Sequence, residues 1–526
     1  MKKSPFMALV LVMLLTLLVG CTTTTPTTTT SAPPTTAPQT PATEPPSTVR
    51  TSIKTAIAAE MNTLDPYNTN TGTLSNLIYN GLIRKTIVEN PDGSTGSTYI
   101  PCLATSWEVS DDGLAYTFNI RKGVKFHNGD ELTARDVAYS FRKTEGSAFA
   151  TAFLSKFDHA ELVDDWTVIL YVKEVDVFFI DGIPSIFIIN EKWAEEVGSD
   201  IANQAMGTGP YILEEYLPMQ SYTLSAFRDY WEGGEKLIPT LILDIIADQT
   251  TRTLALEAGQ LDFLALPANA IDRVEATGLF NILYTEGRNC IAVAVNHEKA
   301  PFDNLLIRKA IAHAVNRENN VMLARGGYGI EAVGFFHPTL IMNSSLPGNP
   351  NLYDLALAKQ YMAEAGFPDG AGFPEITMQG SAGLVQDSLE VLQQDLAAIG
   401  IKTKIEILEG NTLGVALASG DYEMTIVGAN ISDIIQRWWY FFTTEALDLT
   451  NYGRYSDPYF DSLFTKLSVT YDDAEQRAIN NEIINIINDE VIYIPISFGV
   501  NATALAKDLA FDVHPSALRL QDLYYK

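Results

Sequence analysis

Residues 107–141 read WEVSDDGLAYTFNIRKGVKFHNGDELTARDVAYSF, and the pattern of this stretch decides how the rest of the chain is read. Tyr116, Phe118 and Ile120 alternate with Thr117, Asn119 and Arg121, the two-residue period of a strand buried on one face. Asp111-Asp112-Gly113 ahead of them predicts a turn, with the glycine free to take a positive φ. His127-Asn128-Gly129-Asp130 predicts a second turn. Thr133 then stands as a helix cap with Asp136 three residues on, and Val137 and Phe141 begin the apolar stripe of that helix. Nothing in the stretch has the form of a catalytic centre; it is architecture.

With its turns placed in this way, the segment resembles the signature of the family 5 solute-binding proteins, the extracytoplasmic receptors of oligopeptide, dipeptide and nickel ABC importers. That pattern runs roughly LA-x-SW-x-x-S-x-DG-x-x-Y-x-F-x-LR-x-G-V-x-FH-x-G-x-x-LTA-x-DV-x-x-SF, and this chain follows it nearly throughout, with Ile120 for the usual Leu. Working outward, Asn62-Thr63-Leu64-Asp65-Pro66 resembles the family's LDP turn at the mouth of the ligand cleft, which makes the adjacent Tyr67 a candidate ligand contact. LIYNGLIR from Leu77 resembles the helix-to-turn element that follows. Gly207-Thr208-Gly209-Pro210-Tyr211 is similar to the family's GTGPY. A Gly-Thr-Gly alone also suits a phosphate cradle, but no helix signal follows and Pro210 removes an amide donor, which leaves a tight turn. PFDNLLIRKAIAHAVNRENN from Pro301, with Asn316 where Asp is commoner, and DLALAKQYMAEAGFPDG from Asp354 extend the likeness through the second half.

The resemblance implies an α/β fold of the periplasmic-binding-protein type, with two lobes around a ligand cleft. Residues 49–290 are expected to form the first lobe with a subdomain at about 100–200, residues 291–490 the second lobe, and residues 491–526 a return to the first. Two crossings between lobes then act as a hinge. The local patterns agree: Ile307, Ala310, Ile311, Ala314 and Val315 share one helix face, as do Val385, Leu389, Leu392, Leu396 and Ile399. Gly400 ends the latter helix and the strand IKTKIEIL follows. A last long helix from about Asp473 turns Ile479, Ile483 and Ile487 inward, and a strand from Val491 to Ile496 closes the lobe.

The chain starts Met1-Lys2-Lys3, followed by an apolar run from Phe6 to Val19, an export signal too short for a membrane span. Cys21 directly after Gly20 has the form of a lipobox, so residues 1–21 read as a lipoprotein signal with Cys21 lipidated. Residues 22–48 are almost wholly Thr, Pro, Ala and Ser, too poor in apolar side chains to fold, and are expected to be a disordered tether holding the domain off a membrane. The chain carries 64 acidic against 35 basic residues, a formal charge of -29. That balance argues against nucleic acid as partner and mildly favours cationic solutes. With Cys21 lipidated, Cys102 and Cys290 either pair or stay as buried thiols.

The six histidines are scattered with no partner at i+2, i+3 or i+4, so no local zinc or nickel pair is visible, and no cofactor is expected. There is no G-x-S-x-G elbow, and the carboxylate pairs Asp164-Asp165 and Asp472-Asp473 suit a turn and a helix cap. An enzyme is not expected. Attention falls instead on Gly428–Tyr455, GANISDIIQRWWYFFTTEALDLTNYGRY. In peptide binders of the resembled family an Asp of this loop meets the ligand's amino terminus, and Asp433 occupies roughly that place, although the usual Pro is absent. Asn430, Asp433, Arg437, Trp438 and Trp439 are the candidate ligand contacts with Tyr67. An arginine can pair with a carboxylate and a tryptophan can stack on a ring or a cation, while most of the WWYFF run is expected to be packed core. The expected partners are a small solute, expected to be a peptide, a permease and ATPase complex, and the membrane through the lipid; the protein itself is expected to be a monomer. An oligosaccharide, a metal chelate, or a sensory or chaperone-like surface role are the alternatives.

Overall fold

In the computed structural model, residues 50–61, 63–68, 72–89, 95–145, 147, 154–337, 347–430, 441–511 and 519–526 are described. The export signal, Cys21 and the tether lie outside the described residues, as do Asp433, Arg437, Trp438 and Trp439.

The first half of the chain contributes β1 (Ser52–Ile57), β2 (Ile83–Glu89), β3 (Thr95–Pro101), β4 (Ala104–Val109), β5 (Ala115–Ile120), β6 (Phe157–Asp164) and β7 (Thr167–Val172). Strands β2 and β3 form an antiparallel ribbon, and β4–β7 form a sheet in the order β4-β5-β7-β6. The alternation in the signature stretch is realised in β5, where Tyr116, Phe118 and Ile120 are buried. After it the helix Ala134–Lys143 starts as its cap demands: one Asp136 carboxylate oxygen accepts from the Thr133 amide at 2.9 Å and from its hydroxyl at 3.0 Å. The other oxygen accepts from the Glu191 amide at 2.9 Å, tying this helix to the start of the helix Glu191–Val197. Burial raises the pKa of Asp136.

Strands β8 (Tyr211–Leu217), β9 (Ser221–Ala226) and β10 (Thr240–Ile245) join β1 in a second sheet of order β1-β10-β9-β8. The GTGPY segment leads into it as a turn. The Gly209 amide donates to the Ile78 carbonyl at 2.9 Å, and the His127 amide to the Gly207 carbonyl at 3.0 Å. The ring of His127 lies 3.1 Å from the Gly209 carbonyl through Nε2. Burial pushes its pKa down to about 4, so the imidazole is neutral at pH 7. The second turn of the signature is thus stitched to a segment 80 residues away in the chain.

A third sheet contains β11 (Phe263–Leu266), β12 (Phe280–Val295), β13 (Gly329–Glu331), β14 (Ile376–Gly380), β15 (Thr403–Ile407), β16 (Met424–Asn430) and β17 (Ile494–Ala506), in the order β11-β17-β12-β16-β14-β15 with β13 on β17. The short pair β18 (Leu509–Phe511) and β19 (Leu523–Tyr525) ends the chain. This third sheet serves two cores. Phe280 of β12 and Ala502 and Ala504 of β17 are buried with Leu256, Leu264 and Val274 of the first lobe. Ile291 and Val293 of β12 and Ile494 and Ile496 of β17 are buried with Ile311, Leu392 and Met424 of the second. The chain is therefore an α/β, two-lobed structure in which both long strands begin in one core and finish in the other.

The helices follow their patterns. Leu384–Ala397 buries Leu389, Leu392 and Leu396. Asp473–Asp489 buries Ile479, Ile483 and Ile487, with Asp472 capping it by accepting from the Glu475 amide at 2.8 Å. Asp164 accepts from the Trp166 amide at 2.7 Å, a turn as expected. One reading changes: the closing strand is Ile494–Ala506 and not Val491–Ile496. The expected lobe boundary at residue 290 falls within β12. Cys102 and Cys290 are both free, buried thiols.

Candidate functional site

The site is where the two long strands pass from lobe to lobe. Strand β12 pairs with β17 from Phe280↔Ala506 to Glu286↔Val500, and the ladder resumes at Cys290↔Phe498. Gly287, Arg288 and Asn289 thus stand opposite Gly499 alone, a bulge of the kind that bends a sheet and breaks its pairing. The two main chains touch there. A Cβ on Gly287 would fall 2.6 Å from the Gly499 carbonyl oxygen, so no larger residue fits without moving a strand.

The variable loop springs from the same place. Asn430, the last residue of β16, is in register with Asn289 of the bulge. The far end of the loop returns as Phe441 and the fully buried Phe442. The Tyr493 hydroxyl donates to the Phe441 carbonyl at 3.1 Å, and Phe442 meets the Tyr493 ring edge-on at 5.5 Å. Asn451 then fixes the next turn by donating from Nδ2 to the carbonyls of Thr443 at 3.0 Å and Tyr455 at 2.8 Å. Asp457 caps the following helix Pro458–Ser468 by accepting from the Phe460 amide at 2.8 Å. The candidate loop therefore leaves from the bulge and returns beside Tyr493, just ahead of the start of β17. Phe441 and Phe442 fill the packing role expected of most of the WWYFF run.

Of the candidate contacts, the main chain of Asn430 lies at the crossing. Tyr67 is buried in the first core, where its hydroxyl donates to the Phe187 carbonyl at 3.0 Å and its amide to Asp65 Oδ1 at 2.9 Å. The remaining candidates lie outside the described residues.

Sequence reasoning passed over the cations around the crossing. Arg317 is buried and donates from Nε to the carbonyls of Pro495 at 2.9 Å and Ala332 at 3.1 Å, and from Nη2 to Asn351 at 3.2 Å. Desolvation pulls its pKa down to about 10. Arg325 is buried over Gly499, its Nε donating to the Ser497 hydroxyl at 2.7 Å. Neither guanidinium is paired with a carboxylate among the described residues, so the base of the crossing carries positive charge inside an acidic protein. The adjacent Cys290 thiol is pushed up to about 12 by burial, which keeps it protonated and unreactive. Nothing in the sequence marks these arginines, because their partners are carbonyls and a hydroxyl brought in from distant strands. Among the described residues no group of three or more His, Cys, Asp or Glu side chains is placed to hold a metal ion. No helix among them is long and apolar enough to cross a membrane.

Known proteins resemble this chain in sequence and in fold. The family model described as bacterial extracellular solute-binding proteins, family 5 (middle) matches residues 98–446. Heme-binding protein A of Haemophilus influenzae is 28% identical over 466 residues, covering 82% of this chain and 83% of that protein. Di/tripeptide-binding protein 1 of Pseudomonas aeruginosa is 28% identical over 442 residues, covering 76% of this chain and 81% of its own length. Among solved structures, the ABC transporter substrate-binding protein CtaP of Listeria monocytogenes superposes with a TM-score of 0.79 at 24% identity, over 90% of this chain and 99% of that one.

Proposed function

The chain belongs to the bacterial extracellular solute-binding proteins of family 5, and from that premise we propose that it is the solute receptor of an ABC importer, catching a peptide-like solute between its lobes and handing it to a permease. The observation that carries this reading is the crossing: two strands shared by two cores, bulged at Gly287–Asn289, with the candidate loop leaving from the bulge. Such a joint lets the lobes rotate as rigid bodies, and a solute touching both lobes only when they are shut shifts the open-closed equilibrium by its differential affinity. No bond is made or broken in that cycle.

Within the cleft, Asp433 pairs with the ammonium group of the solute, and Asn430, Arg437, Trp438, Trp439 and Tyr67 complete the candidate set. The relative named as a di/tripeptide-binding protein supports a peptide. A metal chelate is the second reading, favoured by the relative named as a heme-binding protein. This reading takes residues 49–290 as the first lobe, 291–490 as the second and 491–526 as the return to the first, with β12 straddling the first boundary. The protein is held to the outer face of the cytoplasmic membrane by lipid on Cys21, with residues 22–48 as the tether; fatty-acid label should enter the wild type and not Cys21→Ala.

The test of the solute is native mass spectrometry of the purified protein, followed by titration with tri-alanine and with haem. A co-purified peptide and micromolar or tighter binding of tri-alanine support the first reading. Binding of haem and not of any peptide selects the second.

A further inference from the structure

The lobes are also tied away from the crossing. After β7 the chain runs through Asp176 to two adjacent phenylalanines that are buried in different cores. Phe179 packs against Tyr116 in the first, with ring centroids 4.9 Å apart. Phe178, only 8% exposed, belongs to the second, in the cluster that holds Phe460, Phe464, Leu467 and Ile483. Beside it the Val177 amide donates to the Ser468 carbonyl at 2.9 Å, at the C-terminal end of the helix Pro458–Ser468. Three residues further on, Tyr471 rests its ring on the first turn of the signature stretch. A Cβ on Gly113 would fall 2.4 Å from the Tyr471 hydroxyl oxygen. Gly113 has φ +70, so the turn both needs a glycine and offers a bare main chain as a seat. The strap that carries Phe178 is itself fixed to the first lobe, because the Tyr116 hydroxyl donates to the Asp176 carbonyl at 3.0 Å.

We infer that this contact is a closure latch: it is made when the lobes shut, and its strength sets the open-to-closed ratio of the empty protein without touching solute. The inference rests on the hinge reading above. Its elements lie on opposite sides of the cleft. A rotation that parts the lobes about β12 and β17 withdraws Phe178 from the second core, breaks the Val177–Ser468 hydrogen bond and lifts Tyr471 from Gly113. Opening therefore exposes one phenylalanine, a half-buried valine and one amide to water, a small cost of the size a reversible device requires. The strap from Lys173 to Phe178 makes these contacts with its main chain, one ring and the half-buried Val177 side chain, and Tyr471 remains 50% exposed even when seated. Weakening the latch favours the open state and so lowers the apparent affinity for any solute that needs the closed one.

The test is a distance measurement on the protein without added solute. Dyes are placed on Glu161→Cys and Arg477→Cys, two exposed positions in the two lobes, in a Cys21→Ala chain whose remaining cysteines are buried. Tyr471→Ala should raise the open-to-closed ratio at least threefold, and Phe178→Ala at least tenfold. Tyr471 is half-exposed, so its variant keeps the fold and the test does not hang on Phe178. Unchanged distance distributions in both variants overturn the latch. If those distributions are unchanged and tri-alanine still shortens the distance in both variants to the wild-type bound value, the latch fails and the hinge survives. If the distance answers neither to the variants nor to tri-alanine or haem, the latch fails together with the hinge.

Discussion

The two ties between the lobes are built from opposite materials. At the crossing the lobes are joined chiefly by main chain: two continuous strands, a bulge, and Gly287 pressed against Gly499, with Tyr328 of the second lobe hydrogen-bonded to Asp272 of the first beside them. At the strap and turn they are joined by side chains, with Phe178 sunk in the other lobe's core and Tyr471 seated on Gly113. A glycine occurs at both places, yet for different reasons. Gly287 is enclosed by a strand that cannot move without shifting the sheet, whereas Gly113 faces the tip of a half-exposed tyrosine that can swing away. The crossing therefore fixes where the lobes turn, and the side-chain contact fixes how readily they do.

That contrast can be broken by substitution. Gly287→Val puts branched carbon into the Gly499 carbonyl and should lower stability by about 3 kcal/mol, the upper range for overpacking, read as a drop in the denaturation midpoint. An unchanged midpoint would mean that the crossing is looser than its geometry. The next effect is set by pH within the lobes. In the unfolded chain a histidine takes up a proton near pH 6.5, but burial delays this to about 4 for His127 and, helped by Arg308, to about 3 for His297. Below pH 6.5 the unfolded state binds protons that the folded state refuses, so stability falls as pH drops from 6.5 toward 4. Asp395 acts the other way, since burial raises it to about 6 and the folded state gains a proton first. Burial also lowers His337 and raises Asp136, one more group on each side, and the histidines outweigh the carboxylates to leave a net loss on the order of 2 kcal/mol at pH 5. Thermal melts from pH 7 to pH 5 check the sign, and His127→Gln should flatten the slope.

The loop at the crossing should answer through affinity and not stability. Asp433→Asn keeps the shape and removes the charge, so it should weaken a cationic solute at least tenfold, or about 1.4 kcal/mol, with the solute-free melting point nearly unchanged. Equal binding by the variant in calorimetry would point to a neutral solute held by the aromatic residues. Smallest is Gly113→Ala. Tyr471 can move aside, so the loss is the left-handed conformation of one alanine, about 1 kcal/mol in a denaturant melt. A loss as large as that of Gly287→Val would erase the distinction between the two ties.

Much of the fold was legible because its signals are local. The strand of Tyr116, Phe118 and Ile120, the cap of Thr133 and Asp136, and the helix with Ile479, Ile483 and Ile487 each lie within a few residues of one another. The crossing was only half legible. In β17 the apolar run stops at Phe498 and gives way to Gly499, Val500 and Asn501, so no local pattern carries the strand beyond its expected end at Ile496. What keeps it extended is pairing with Phe280–Glu286, more than 200 residues earlier, and no local pattern carries that. The latch was not legible at all. Phe178-Phe179 looks like one apolar pair, and only the packing sends its members into separate cores. Asp433 and its neighbours were chosen by resemblance, and the structure adds that their loop leaves from the bulge at Asn430 and returns at Phe441 beside Tyr493.

The central claim is that two lobes turn about β12 and β17 and close on a solute. Small-angle scattering of the wild-type protein with and without the solute recovered by native purification tests it most directly. The account predicts a smaller radius of gyration in the bound protein, together with a higher melting temperature. Tight binding that leaves the radius of gyration unchanged would contradict it.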